Sequence, residues 1–311
     1  MLDRDSKIYV AGHNGMVGSA ICRLLEKRGF TNLVLRTHSE LDLTNQIAVD
    51  DFFREEKPDV VFLAAAKVGG INANMNNQSA FLMENIGIEY NVINSAFKND
   101  VNDLMFLGSS CIYPRESEQP IKEEYLLTGP LEPTNEGYAL AKIVGLKTCQ
   151  YLNEQYGTNY IGVMPTNLYG INDNFDLESS HLVPAIIRKM HEAKINNSEQ
   201  VEIWGTGKPY RELLFVEDMA DATLFAFENY KGNSFINVGT GEDLTIKQIS
   251  ETIQKIVGFE GELYFNTSKP DGMYRKLLDV SNLMELGWKP KYSLEEGLKI
   301  TYEWFLEKYY K

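Results

Sequence analysis

The chain of 311 residues is 43% hydrophobic and 24% charged, with a formal net charge of −14 and a pI near 4.9. That composition describes a soluble globular protein with room for one large α/β unit or two modest domains. Its acidity excludes nucleic acid and anionic membranes as partners, since both select basic surfaces, but leaves room for a small anionic ligand held by a few local arginines.

In chain order, "KIYVAG" predicts a strand and "MVGSAICRLLEKRG" a helix, then "NLVLR" a strand and "QIAVDDFFREEK" a helix. "PDVVFLAAA" is a strand, "ENIGIEYNVINSAFKND" a helix, "LMFLGSS" a strand, "GYALAKIVGLKTCQYLNEQYG" a long helix and "NYIGVMPTNLYG" a strand. Strands alternating with helices of about ten or more residues imply crossover units and a parallel sheet. After about residue 170 the alternation loosens. "SSHLVPAIIRKMHEAK" predicts a helix with a serine start, "VEIWG" a strand, "RELLFVEDMADATLFAFENY" a strand and helix, and "SFINVGTG" a strand. "TIKQISETIQKIVG" and "SLEEGLKITYEWFLEKYY" close the chain as helices.

The expected fold class is α/β, a doubly wound parallel (Rossmann) sheet with a smaller C-terminal α/β substrate domain. Residues 1–170 with about 213–240 form the first domain, and 171–212 with 241–311 the second. No apolar run approaches the roughly 18 residues of a membrane helix, and the N-terminus carries no signal-peptide core. Cys22, Cys111 and Cys149 are few and odd in number. They predict free thiols in a cytoplasmic protein, without a disulfide framework or a metal site.

"VAGHNGMVG" spaces Gly12, Gly15 and Gly18 three residues apart between the first strand and the first helix. A dinucleotide needs that arrangement: a tight turn, a backbone that a pyrophosphate can approach, and a helix whose first amides face the phosphates. The end of the second strand selects the cofactor, an acid binding a ribose 2′-hydroxyl and a base favouring a 2′-phosphate. Arg36 and His38 come first there and no acid ends the strand, which favours NADP(H). Asp42 and Leu43 line the adenine pocket, or Asp42 caps the next helix.

"GYALAK" puts Tyr138 and Lys142 on one face of a helix. Reducing a ketone requires a proton donor for the developing alkoxide. A free tyrosine, titrating near 10, exchanges protons poorly at neutral pH, and a nearby ammonium is expected to lower that value. Ser109, at the end of the fourth strand, can donate to the same carbonyl oxygen. The glycine loop, strand-end serine and Tyr-Lys pair, in that order, resemble the extended short-chain dehydrogenase/reductase superfamily.

Longer stretches narrow the resemblance. "GHNGMVGSAI", "LAAAKVGGI", "FLGSSCIYP", "LEPTNEGYALAK", "VMPTNLYGINDNF" and "SKPDGMYRKLLDVS" resemble the GDP-L-fucose synthases of that superfamily. The resemblance implies an NADPH-dependent enzyme that epimerises GDP-4-keto-6-deoxy-D-mannose at C3 and C5 and reduces its C4 ketone, giving GDP-L-fucose. It implies Ser109, Tyr138 and Lys142 for reduction, and Cys111 as base with His181 as acid for epimerisation. Reference pKa values of about 8.5 and 6.5 suit both groups to exchange with carbon acids. Without the resemblance, Cys111 and His181 would each read more readily as ordinary packing or helix-start residues.

The resemblance also places the cofactor against Gly12, His13, Asn14, Gly15, Met16, Val17, Gly18, Leu107, Gly108, Ser109, Ser110, Lys142, Pro165, Thr166, Asn167, Leu168 and His181. It places GDP against Lys189, Trp204, Arg211 and Asp271. Trp204 stacks a base or fills core, and either Arg188 or Lys189 faces solvent. Arg211 suits a pyrophosphate because its fork binds bidentately. Gly137 stands where some relatives have proline, and Asn14 and His38 where NADP-preferring relatives can be more basic. A homodimer through the helices around 80–98 and 138–156 is implied. The competing reading is a 4-reductase or epimerase of the same superfamily acting on another nucleotide sugar.

Overall fold

In the computed structural model, which describes residues 2–177, 179–269 and 271–310, the first half runs as β1 (Ile8–Ala11), α1 (Met16–Lys27), β2 (Leu33–Val34), α2 (Gln46–Glu56), β3 (Val60–Leu63), α3 (Ile71–Asn76), α4 (Gln78–Lys98), β4 (Asp103–Leu107), α5 (Glu136–Tyr156) and β5 (Asn159–Pro165). The second half runs as β6 (Asn167–Tyr169), α6 (Leu182–Ile195), β7 (Gln200–Trp204), β8 (Tyr210–Phe215), α7 (Val216–Asn229), β9 (Phe235–Val238), β10 (Asp243–Thr245), α8 (Ile246–Val257), β11 (Glu262–Asn266), α9 (Ser281–Glu285) and α10 (Leu294–Tyr309).

β2, β1, β3, β4, β5 and β9 form one parallel sheet in that order. Successive strand residues serve opposite faces, so Ile8, Val10, Phe62, Met105 and Ile161 enter one core and Tyr9, Ala11, Val61, Leu104 and Tyr160 the other. The strand order reverses between β1 and β3, which opens a crevice at the carboxyl ends of the strands. The glycine loop, the loop after β3 and the segment after β4 all meet that crevice.

The remaining strands form two small sheets, β10-β8-β6 and β11-β7. Their covering helices contribute Ile187, Met190, Ile253, Leu298 and Phe305 to the same core as the α1 and α7 side of the large sheet.

The structure departs from the sequence reading in four places. The single strand read over "NYIGVMPTNLYG" is two, β5 and β6, in different sheets. Pro165 has no amide to extend a ladder, and Thr166 N bonds Val238 O as the chain leaves the sheet. α4 begins at Gln78, ahead of the expected Glu84, preceded by α3. The asparagine-rich run there reads as loop, but Asn74 Nδ2 bonds the Gly69 and Gly70 carbonyls and holds a turn together. α6 begins at His181 as its cap; Ser179 instead donates to Asp176. β10, β11 and α9 are short elements with no distinct sequence period.

Candidate active site

The loop from β1 to α1 is shaped for close backbone approach. Gly12 sits at φ +84°, in the left-handed region, and a methyl at Gly18 would run into the Gly12 carbonyl. Gly15 N bonds Gly12 O at 2.9 Å, closing the turn. α1 then starts at Met16 and Val17 with no side-chain cap bond and no acid in its first turn, so its leading amides keep their partial positive charge. His13 Nδ1 is buried without a hydrogen-bond partner beside this turn, and Asn14 is exposed. A glycine cradle, free helix amides and an orphaned ring nitrogen fit a bound dinucleotide. Gly18→Ala is expected to weaken dinucleotide binding at least tenfold and to destabilise the fold by about 1–3 kcal/mol, because backbone rather than a flexible side chain must move; thermal unfolding with and without dinucleotide checks both effects.

Beyond β2, the Arg36 guanidinium pairs with Glu56 and lies 5.7 Å over the Phe52 ring. These two contacts hold its side chain in place. Glu40 accepts from Thr37 N and Oγ1, and these bonds hold its carboxyl below the usual range. Asp42 accepts from Thr44 N and Oγ1, while Asn45 rather than Asp42 caps α2. Leu43 is buried, its carbonyl taking a bond from Asn91. His38 is exposed.

Four chemistry-bearing side chains gather at the end of β4. Gly108, whose amide bonds Val163 O, presses against Met164, and Ser109 opens a 3-10 turn, Ser110–Ile112, that carries Cys111 inward. Ser109 Oγ accepts from Cys111 N at 3.4 Å, and its hydroxyl opposes the upward push on both the Cys111 thiol and the Tyr138 phenol. One turn along α5 from Tyr138, the Lys142 ammonium donates to Leu107 O at 3.0 Å and lies 5.8 Å from the Tyr138 ring.

The expected lowering of Tyr138 does not occur in this state. Burial pushes its phenol well up, and Cys111 and Glu89 add to the rise, with only Ser109 opposing. Lys142 cannot act as a free cation because Glu89 Oε1 lies 3.1 Å from its ammonium.

Burial likewise raises the Cys111 thiol, against which Lys276 is the largest opposing influence. Ser110, Cys111, Tyr113, Glu132, Met273 and Lys276 line one small cavity. His181 stands at the N-cap of α6, exposed at the surface, and partial desolvation holds its imidazole below the ordinary value. Gly70 N bonds Ser179 O at 3.2 Å, tying the loop after β3 to the segment that carries His181. No hydrogen bond or ion pair joins His181 to the four-residue cluster among the described residues.

Pro165 ends β5, and Thr166 Oγ1 and Asn167 Nδ2 both bond Glu212 O of β8, which pins the crossing of the chain to the small sheet with Leu168 beside it. On the outer side, Trp204 is 47% exposed, so it is not core filler. The Lys189 and Lys269 ammoniums lie 5.6 Å and 5.1 Å from its ring. Arg211 Nη1 donates to Tyr210 O at 2.6 Å, and burial lowers its guanidinium. Asp271 accepts from Thr206 N and Oγ1, so its carboxylate here fastens the Gly205–Gly207 turn. Arg188 pairs with Glu192 on α6 and donates to Phe175 O, away from Trp204.

Residues 8–239 match the model of the NAD dependent epimerase/dehydratase family. The chain belongs to that family. Among its relatives, GDP-L-fucose synthase 1 of Arabidopsis thaliana is 55% identical over 307 residues, covering 99% of this chain and 95% of the relative. Among solved structures, a GDP-L-fucose synthetase from Naegleria fowleri bound to NADP superposes with a TM-score of 0.93 at 31% identity, covering 99% and 95% of the two chains. A GDP-6-OMe-4-keto-L-xylo-heptose reductase from Campylobacter jejuni gives 0.93 at 41% identity, covering 99% of each.

Sequence reasoning on this epimerase/dehydratase chain missed Glu89 and Lys276. Lys276 had no spacing signal, because the chain segment that carries it is brought to Cys111 by long-range contacts such as the pairing of Ile121 with Leu278 and the bond from Leu277 N to Gln119 Oε1. Glu89 did carry one. It falls on the buried face of α4 with Asn85, Val92 and Ala96, where an apolar residue is the rule.

Proposed function

We propose that this chain converts GDP-4-keto-6-deoxy-D-mannose to GDP-L-fucose, by epimerisation at C3 and C5 and NADPH-dependent reduction at C4. The observation that supports it most is the thiol of Cys111 standing within two residues of Ser109 and in electrostatic contact with Tyr138. A simple 4-reductase of a nucleotide sugar has no use for a base at that place.

The C4 ketone acidifies the hydrogens on C3 and C5. Cys111, as thiolate, takes each proton in turn; Ser109 supports the oxyanion of the enolate, and His181 returns a proton to the opposite face. Lys276 stabilises the thiolate. Bound NADPH supplies the hydride to C4. Ser109 orients the carbonyl and Tyr138 gives the alkoxide its proton, while Lys142 organises the ribose side of the cleft. Gly12, His13, Gly15, Gly18 and the first amides of α1 hold the pyrophosphate, Arg36 with His38 meets the 2′-phosphate, and Leu107, Gly108, Ser110 and Pro165 to Leu168 border the nicotinamide. Trp204, flanked by Lys189, receives the guanine, and Arg211 with Asp271 the diphosphate end.

Residues 1–170 with about 213–240 serve as the cofactor domain, and 171–212 with 241–311 as the GDP-sugar domain. α4 and α5 pack together and expose Met83, Tyr90, Leu140, Val144 and Tyr151, which supports a homodimer through these helices. Three buried free thiols agree with a cytoplasmic, reducing setting. Among the described residues, no helix is long and apolar enough to cross a membrane.

The reading is tested by supplying GDP-4-keto-6-deoxy-D-mannose with NADPH. GDP-L-fucose formed with one NADPH oxidised per product is the expected result; a reduced product still of D-manno configuration would leave only a 4-reductase.

The pH dependence follows from the directions of the two shifts. Epimerisation needs the thiolate of Cys111 together with the imidazolium of His181. With the thiol raised and the imidazole lowered, this pair is a minor form of the singly protonated couple. Its population is level between the two titrations and falls outside them. Exchange at C3 and C5 is therefore expected to follow a broad bell, its acid limb below about 6.5 and its alkaline limb above about 8.5. Rates across pH in heavy water, without NADPH, check it.

A further inference from the structure

The Lys142 ammonium is 2% exposed and Glu89, 3.1 Å away on α4, is 1% exposed. Burial pushes the Glu89 carboxyl up to about 7, and the Lys142 charge opposes that rise. A carboxylate in such a place costs desolvation free energy that an apolar residue on the same helix face would not.

The neighbouring chain has made room for it. Gly145, three residues beyond Lys142 on α5, leaves the space that Glu89 Oε2 occupies; a methyl there would lie 2.6 Å from that oxygen and 2.7 Å from the Phe106 ring. Phe106 closes the other side, its centroid 4.9 Å from the ammonium. An ammonium has three donors. Leu107 O takes one, Glu89 stands beside the ammonium as its counter-charge, and Tyr138 stands on the same helix face with its ring 5.8 Å away.

We propose that Glu89 is a positioning residue for the reduction step: its carboxyl, 3.1 Å from the Lys142 ammonium, fixes the direction of that side chain on the Tyr138 side of the site. The inference rests on the reductase reading above. Glu89 touches neither sugar nor dinucleotide in this scheme and has no part in the Cys111–His181 exchange.

The ionisable groups facing the pair come from several elements. Tyr138 and Cys149 lie on α5, Cys111 lies on the turn after β4, and Lys276 stands behind Cys111. Of these, Lys276 is a cation already beside a titrating thiol, so removal of Glu89 leaves Lys142 as a buried cation without a matching acid.

Glu89→Gln keeps the shape and removes the charge. The expected result is a fall in kcat for reduction of about tenfold or more, with KM for the GDP-sugar unchanged. Deuterium exchange at C3 and C5 without NADPH should stay within about twofold of wild type. A merely structural role would lower exchange and reduction together, and that outcome overturns the proposal. If Glu89→Gln does not fold, Glu89→Asp carries the test. Its longer ion pair predicts slower reduction with undiminished exchange, and wild-type reduction overturns the idea. Wild-type enzyme that neither exchanges nor reduces refutes the proposed function itself, whereas an active wild type with an indifferent Glu89 variant refutes this inference alone.

Discussion

Cys111→Ser should lose exchange at C3 and C5 by about 10²–10⁴-fold, or about 2.7–5.5 kcal/mol of transition-state stabilisation, while still binding NADPH. A serine hydroxyl is a far weaker acid than a thiol, so the base form disappears from the accessible pH range. Burial has already raised the thiol, and Lys276 and Ser109 oppose that rise only in part, which leaves little margin. Dinucleotide binding depends on the β1–α1 loop, whose backbone does not involve Cys111. The measurement is deuterium incorporation by NMR beside a titration of NADPH fluorescence. Normal exchange by the variant would return Cys111 to the role of a packing residue.

Tyr138→Phe should reverse the pattern. Reduction should fall by about 10²–10⁴-fold because the alkoxide loses its proton donor, while exchange continues through Cys111 and His181. The phenol is pushed well up by its surroundings before cofactor enters, so it is protonated at working pH and suited to donate. Steady-state NADPH oxidation measured with exchange in the same sample separates the two activities. Loss of both would show that Tyr138 serves the enolisation as well.

Much of this site was legible where backbone geometry narrows the choice of residue. Gly12 and Gly18 declared themselves because the turn demands a positive φ and a missing side chain. Tyr138 and Lys142 did so because four residues of helix put them on one face. The alternating apolar runs gave the parallel sheet, since strands buried on both faces have to be apolar throughout.

Less legible were the contacts set by long-range meeting. The sequence reading let Lys142 lower the tyrosine, but Glu89 arrives from another helix and takes up that charge. Asp271 read as a ligand for GDP, and its bonds from Thr206, in a turn far away in sequence, had no sequence signal. Trp204 was ambiguous between core and base-stacking until its exposure removed the first option. The break at Thr166 was hidden because β5 and β6 follow one another with a single residue between them, and their separate partners, β9 and β8, distinguish them.

The central claim is that one cleft holds two separable kinds of chemistry, carbon-acid exchange by Cys111 with His181 and carbonyl reduction by Ser109, Tyr138 and Lys142. Incubating the wild-type protein with GDP-4-keto-6-deoxy-D-mannose in heavy water without NADPH tests it most directly. Deuterium at both C3 and C5, with the C4 ketone intact until NADPH is added, is the predicted result; no deuterium at either carbon, followed by reduction on adding NADPH, would contradict it.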